Sequence, residues 1–271
     1  ILGNHEVNAL RYHGTGSDGL PLRAHSPTNR RQHEATLTQI AERNPAEWQA
    51  WLEWFAGLPL SLDLRGLRAV HACWDEEAVA ELQAAGRLEG SVLEKYSLKN
   101  TAEYTTISQI VNGPEALLPL GFLHETADGT MRRELRVKWW CDLSPATCRE
   151  AVFPDNGAIP DVFCEDMPQT GYAEDAPPTF FGHYAQKDPK PAPIRSNLAC
   201  LDYGMGKGGF LCAYRWNGES TLYASKFVFG ENSGVAPSLS LPICEDSCMA
   251  AHNQAGVLEG FSGLHLTKGQ Q

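Results

Sequence analysis

Two short apolar runs constrain the fold of this chain most: Leu67-Arg68-Ala69-Val70 and Thr179-Phe180-Phe181. Each reads as a strand, and each hands the chain to a histidine where it stops, His71 directly and His183 after Gly182. In sheet proteins the edge where a strand gives way to a loop is where ligand sites collect. The chain is therefore expected to build sheets that present histidines at strand ends.

Around these runs, residues 12–28 are rich in Gly, Pro, Ser and Asp and are predicted to form an exposed loop. A helix follows over 27–43. The next opens with Asn44 as cap and Pro45 in its first turn, and it places Trp48, Trp51, Leu52 and Phe55 on one core-facing stripe. Gly57 and Pro59 stop it. Leu60, Leu62 and Leu64 alternate along one side of a strand, and Arg65-Gly66 turns the chain into Leu67. Asp75 can cap a helix through about Leu82, and a further helical stretch covers 94–111. A strand over 132–140 and a long acidic, Pro-containing connection over 141–176 come next. Strands over 198–203, 209–216 and 221–228 close the ordered part, with Asn217-Gly218 as a hairpin turn. Helices first and strands later, with single strands interleaved, predict one layered α/β or α+β domain over 1–228. Residues 229–271 lack a clear period and are expected to form a poorly ordered tail.

The formal net charge over the 271 residues is −11, with no basic cluster beyond Arg30-Arg31 and Arg132-Arg133. Binding to nucleic acid or to an anionic membrane surface is disfavoured, and no apolar run approaches the ~20 residues of a membrane span. Eight cysteines, at 73, 141, 148, 164, 200, 212, 244 and 248, are dispersed and partly embedded in apolar runs. They read as reduced, mostly buried thiols of a cytoplasmic protein, and without a C-x-x-C pair no structural zinc site is expected. The first residue is Ile, so further sequence is expected upstream.

The richest motif is Gly3-Asn4-His5-Glu6: an amide, an imidazole and a carboxylate in succession after a glycine. Together with His71 and His183 it suggests a shared metal centre, since imidazole nitrogens and an Asn carbonyl oxygen suit Mn²⁺, Fe²⁺ or Zn²⁺.

Gly3-Asn4-His5-Glu6, Val70-His71-Ala72, Gly182-His183-Tyr184, and Ala199-Cys200-Leu201-Asp202-Tyr203 with Lys207-Gly208-Gly209 occur in this order. The series resembles the calcineurin-like metallophosphoesterases, and more narrowly their bacterial branch of phosphoprotein phosphatases and diadenosine tetraphosphatases. The resemblance covers residues 1–228. It implies a layered β-sandwich flanked by helices, with two divalent ions, Mn²⁺ foremost, about 3.5–4 Å apart around an attacking hydroxide. Asn4, His71 and His183 would hold the second ion, His5 would protonate the leaving oxygen as general acid, and Glu6 would support the loop.

Members also carry Asp-x-His and Asp-Arg-Gly segments upstream of Gly-Asn-His-Glu. The resemblance therefore implies that the first-metal ligands and the N-terminal strands are missing, and that this chain is inactive alone. Asp202 falls within a strand of the family pattern and is not a replacement ligand. The implied substrates are phosphoprotein or small phosphomonoesters. A dinucleoside polyphosphate is an alternative, with Trp139, Trp140 and Tyr184 as candidates for the nucleoside pocket; a non-catalytic remnant that binds partners through an exposed edge is another. His25 and His33 read as solvated, Arg136 and Lys138 as a surface pair, and Cys244 with Cys248 as incidental. His124, His252 and His265 fall in loop or tail segments without metal-ligand neighbours.

Overall fold

The computed structural model describes residues 1–126, 129, 131–154 and 157–230. In chain order the helices are α1 (Asn4–His13), α2 (Pro27–Thr36, continued by a π turn over Leu37–Ala41), α3 (Pro45–Gly57), α4 (Glu76–Ala85), α5 (Gly90–Lys95), α6 (Ala102–Asn112) and α7 (Cys148–Ala151). The strands are β1 (Ser61–Leu64), β2 (Leu67–Val70), β3 (Glu115–Leu117), β4 (His124–Glu125), β5 (Met131–Arg132), β6 (Glu134–Arg136), β7 (Thr179–Phe181), β8 (Leu198–Cys200), β9 (Leu211–Tyr214) and β10 (Phe227–Gly230). The mixture of helices and sheets is the general class expected.

One four-stranded sheet, ordered β1-β2-β7-β8, positions the site. β1 and β2 form a hairpin, Ser61 opposite Val70. β2, β7 and β8 run parallel, with Ala69 beside Phe180 and Phe181 beside Cys200. Their C-terminal ends therefore share one edge, and the residues that follow emerge together: His71, Gly182-His183 and Leu201-Asp202. β7 and β8 are buried along their length, as parallel strands covered on two faces should be, whereas β2 is half-buried until Val70.

Period-two alternation then separates two cores. Phe181, Leu198 and Cys200 join the helical side, with Leu10, Trp48, Leu52, Leu82 and Ile107. Phe180 and Ala199 point the other way and pack with Tyr203, Cys212, Leu222 and Phe227 under the antiparallel pair β9-β10. Helices cover one face of the sheet and a second small sheet covers the other.

Two local expectations, the caps at Asn44 and Asp75, are met. The Asn44 side chain accepts from the Glu47 N–H (3.2 Å), Asp75 from Ala78 (2.8 Å), and Ser26 and Thr101 start α2 and α6 likewise. Others are corrected. The motif at Asn4 opens α1, so the loop expected over 12–28 starts at Gly14. The stretch 94–111 breaks between α5 and α6, where Asn100 takes φ 64°, a conformation Asn tolerates better than most residues. Within 132–140 only Glu134–Arg136 stays in β6, because the chain then turns, with the Cys141 N–H bonded to the Lys138 carbonyl. On α3, Trp48 and Leu52 are buried, but Trp51 is 40% exposed and packs edge-on against the exposed Trp54. Leu60 is buried while Leu62 and Leu64 face solvent on the edge strand β1.

Asn217-Gly218 does lie between β9 and β10, but the connection spans 215–226 and is closed by Glu219, which accepts from the Tyr214 hydroxyl and pairs with Lys226. β10 reaches Gly230, two residues past the expected boundary. The rest of the expected tail lies outside the described residues, as do His252, His265, Cys244 and Cys248.

Two histidine and cysteine readings also change. His33 is not solvated: it is 8% exposed, with its Nε2 3.2 Å from that of His13, which accepts a hydrogen bond from the Trp48 indole N–H (3.1 Å). His25 is exposed as expected, although its ring stacks on Tyr12 at 3.9 Å. Cys148 and Cys164 form a disulfide, whereas all eight cysteines had read as reduced. The physical reason is local pairing: the Cys148 N–H bonds to the Val162 carbonyl and Thr147 bridges Phe163, which brings Cys164 alongside. Cys73, Cys141, Cys200 and Cys212 are free. No helix among the described residues is long and apolar enough to cross a membrane.

Candidate functional site

The site forms where the first turn of α1 meets the ends of β2, β7 and β8. The Leu2 N–H donates to the Pro59 carbonyl (2.8 Å) and fixes the entry to the helix. Glu6 turns back to accept from the Gly3 N–H (2.8 Å), which is the supporting role expected for it. Gly3 has to be glycine: a Cβ there would lie 2.6 Å from His71 Cε1 and 2.7 Å from its Nδ1. That close approach brings Asn4 Oδ1 to 3.1 Å from His71 Nε2.

His71 and His183 face each other, with ring centroids 5.2 Å apart. The Gly182 N–H donates to the His71 carbonyl (2.9 Å), locking the two strand ends together. His183 itself sits at φ 64°, a left-handed conformation costly for a non-glycine residue, and its Nε2 is buried with no hydrogen-bond partner. Backbone strain of this kind concentrates at functional sites. Burial lowers the pKa of both imidazoles. For His183 burial and then the nearby Arg136, His71, His5 and Lys207 push it to about 3. For His71 burial dominates and the Glu6 and Asp202 carboxylates oppose it. Both rings are thus neutral at neutral pH, the state that ligates metal.

The amide and the two imidazoles come from three separate segments, with Asn4 Oδ1 3.1 Å from His71 Nε2 and an orphaned nitrogen on His183. Among the described residues no three His, Cys, Asp or Glu side chains converge tightly enough to hold a metal. Asn4, His71 and His183 would offer a cation only neutral donors. His5 is exposed on the first turn of α1, close enough for its charge to act on both His71 and His183.

Two residues at the site had other readings from the sequence. Arg136 is expected in a surface pair with Lys138, but its Nη1 reaches the His183 carbonyl (3.4 Å), its guanidinium lies over the Tyr184 ring, and its Nε is buried without a partner. Lys138 turns away to the Glu150 carbonyl. Asp202, expected within a strand, instead lies past β8, lines the same cavity as His71 and His183, and its Oδ1 accepts from the Gly204 N–H (2.8 Å). The available signal was positional, since Asp202 lies two residues past β8 as His183 lies two past β7. In contrast, Trp139, Trp140 and Tyr184 are core residues, buried against Phe181, and do not form a nucleoside pocket. His124 bonds the Glu134 carbonyl, away from the site.

Comparison with protein-family models, with curated proteins and with solved structures gave no match.

Proposed function

We propose that this chain carries the second-metal ligands and the proton donor of a calcineurin-like, metal-dependent phosphoesterase. The observation that carries the reading is the convergence of Asn4 Oδ1, His71 and His183 from three strand or helix ends, with His183 strained and its Nε2 orphaned. The packing of β9-β10 over the four-stranded sheet is compatible with the sandwich of that class. Asn4, His71 and His183 would hold the ion, Mn²⁺ foremost, with Fe²⁺ or Zn²⁺ as alternatives. A divalent ion supplies charge to offset the phosphoryl oxygens. The chain's own residues do the rest: Arg136, at the His183 carbonyl, adds positive charge to the site, and His5 gives a proton to the departing ester oxygen while the water that adds to phosphorus loses one to solvent. Imidazole suits that transfer because it exchanges protons near neutral pH.

Phosphoprotein or small phosphomonoesters are the proposed substrates. The dinucleoside polyphosphate alternative loses support with its aromatic candidates in the core. The proposed setting is cytoplasmic, and the Cys148–Cys164 bond is the feature that argues against it. With one neutral donor set among the described residues, turnover by this chain alone is expected to be small.

Mn²⁺ titration followed by electron paramagnetic resonance tests the reading. We expect weak binding that falls at least ~10-fold in both His71→Ala and His183→Ala, about 1.4 kcal/mol or more each. Binding that survives both substitutions would sink the proposal. A partner-binding, non-catalytic reading is favoured by one separate feature, the exposure of Leu211, Val228 and Phe229 on β9-β10.

A further inference from the structure

A second cavity, about 270 Å³ in volume, lies at the far end of α1 from Asn4, between α1, α3 and the turn that opens α5. It falls just under the roughly 300 Å³ at which drug-sized sites begin, so its occupant is small. Leu10, Leu52, Leu88 and Leu93 are buried and give it an apolar floor. Glu53 and Glu89 also line it, both exposed, and set two carboxylates at its rim. His13 brings no charge at neutral pH, because burial and then His25 lower its pKa. The Gln49 side-chain amide donates to Glu53 Oε1 (3.3 Å) and leaves the other acceptor positions of that carboxylate open.

Arg87 shows what this rim attracts. Its Nε pairs with Glu89 (3.2 Å) and its Nη2 reaches the Glu53 carbonyl (3.4 Å). Both members of the Arg87–Glu89 pair are more than half exposed, so the pair contributes little and exchanges readily.

We infer that this cavity binds a small primary alkylammonium, a free amine on a stem of several methylenes. An anion would meet two carboxylates, and a neutral chain would leave them unanswered. The compact ammonium head offers three N–H donors to Glu53 and Glu89. Its stem covers the leucines as a lysine stem covers apolar surface, and each methylene buried corresponds to about fourfold in affinity. None of the residues used here takes part in the phosphoesterase reading, so the site stands apart from it. The chain's net charge of −11 draws cations in general but does not choose between positions; the pairing of two carboxylates with an apolar floor does.

The test titrates the 271-residue chain with n-hexylammonium, methylammonium, n-hexanol and hexanoate by ligand-observed NMR. Hexylammonium is expected to bind at least ~10-fold more tightly than each of the other three. Glu53→Gln with Glu89→Gln, both at exposed positions, should weaken hexylammonium roughly fivefold and leave hexanol unchanged. Arg87→Gln removes the competing cation and should tighten hexylammonium roughly threefold. Glu77→Gln, an exposed acid on α4, should change nothing. Hexanol or hexanoate binding as tightly as hexylammonium overturns the assignment. So does an absence of hexylammonium binding, an affinity that ignores the double substitution, or a loss as large in Glu77→Gln, which would reduce the effect to the charge of the whole chain.

Discussion

Gly3 and His183 are the two residues whose backbones the site cannot do without. A methyl group at position 3 would press into the His71 ring at 2.6 Å, and that ring is held between Asn4 and the strand end behind it. Gly3→Ala is therefore expected to cost about 1–3 kcal/mol by overpacking, and to weaken Mn²⁺ binding with it, as read by urea denaturation and metal titration on the same variant. Unchanged values for both would show that the ring yields freely. His183 gives the complementary case. Its φ of 64° penalises any side chain with a Cβ, so His183→Gly should be more stable than His183→Ala by about 1 kcal/mol. Equal urea midpoints for the two would mean that the strain is absent. The three would-be ligands were legible because each sits in a short motif beside a small residue. Arg136 and Asp202 were not, since what makes them site residues is proximity to His183 and Gly182 across separate strands.

At the scale of elements, α2 is held against α1 and α3 through neutral histidines. Burial, then His13, Arg23 and His5, depress His33 to about 4, and burial, then His25, lower His13. The unfolded chain, with His near 6.5, takes up the proton that folded His33 refuses. Stability is therefore full above about pH 6.5 and is lost as pH falls toward 4, by at most ~1.4 kcal/mol per pH unit for each proton involved. Urea midpoints at pH 7.5, 6 and 5 should fall accordingly, and His33→Gln should flatten the profile; an unchanged slope in that variant would place the acid sensitivity elsewhere. The start of α3 could be read directly from Asn44-Pro45, because a cap is a local hydrogen bond. The burial of His33 could not, because it depends on how α2 lies back on two other helices. The break between α5 and α6 was missed for a related reason: Asn100 departs from helical geometry at a single residue inside an otherwise helical composition.

For the whole molecule, the layered class followed from the order of helical and extended runs, but the strand order did not. β2 and β7 are sheet neighbours with more than a hundred residues between them, and no local pattern announces such a crossover. The same topology leaves two surfaces open. β1 is the edge of the four-stranded sheet and exposes Leu62 and Leu64, while β9-β10 is a two-stranded sheet that exposes Leu211, Val228 and Phe229. Unpaired edges beside apolar side chains template association. The chain is expected to self-associate at about 10–100 μM, and Leu64→Lys with Val228→Lys to return it toward monomer, since charge on an edge opposes pairing. Because both side chains already face solvent, the double variant should keep its urea midpoint within about 0.5 kcal/mol of the parent. Light scattering coupled to gel filtration separates the outcomes: a parent chain that stays monomeric across that range would show that the exposed strands do not recruit one another.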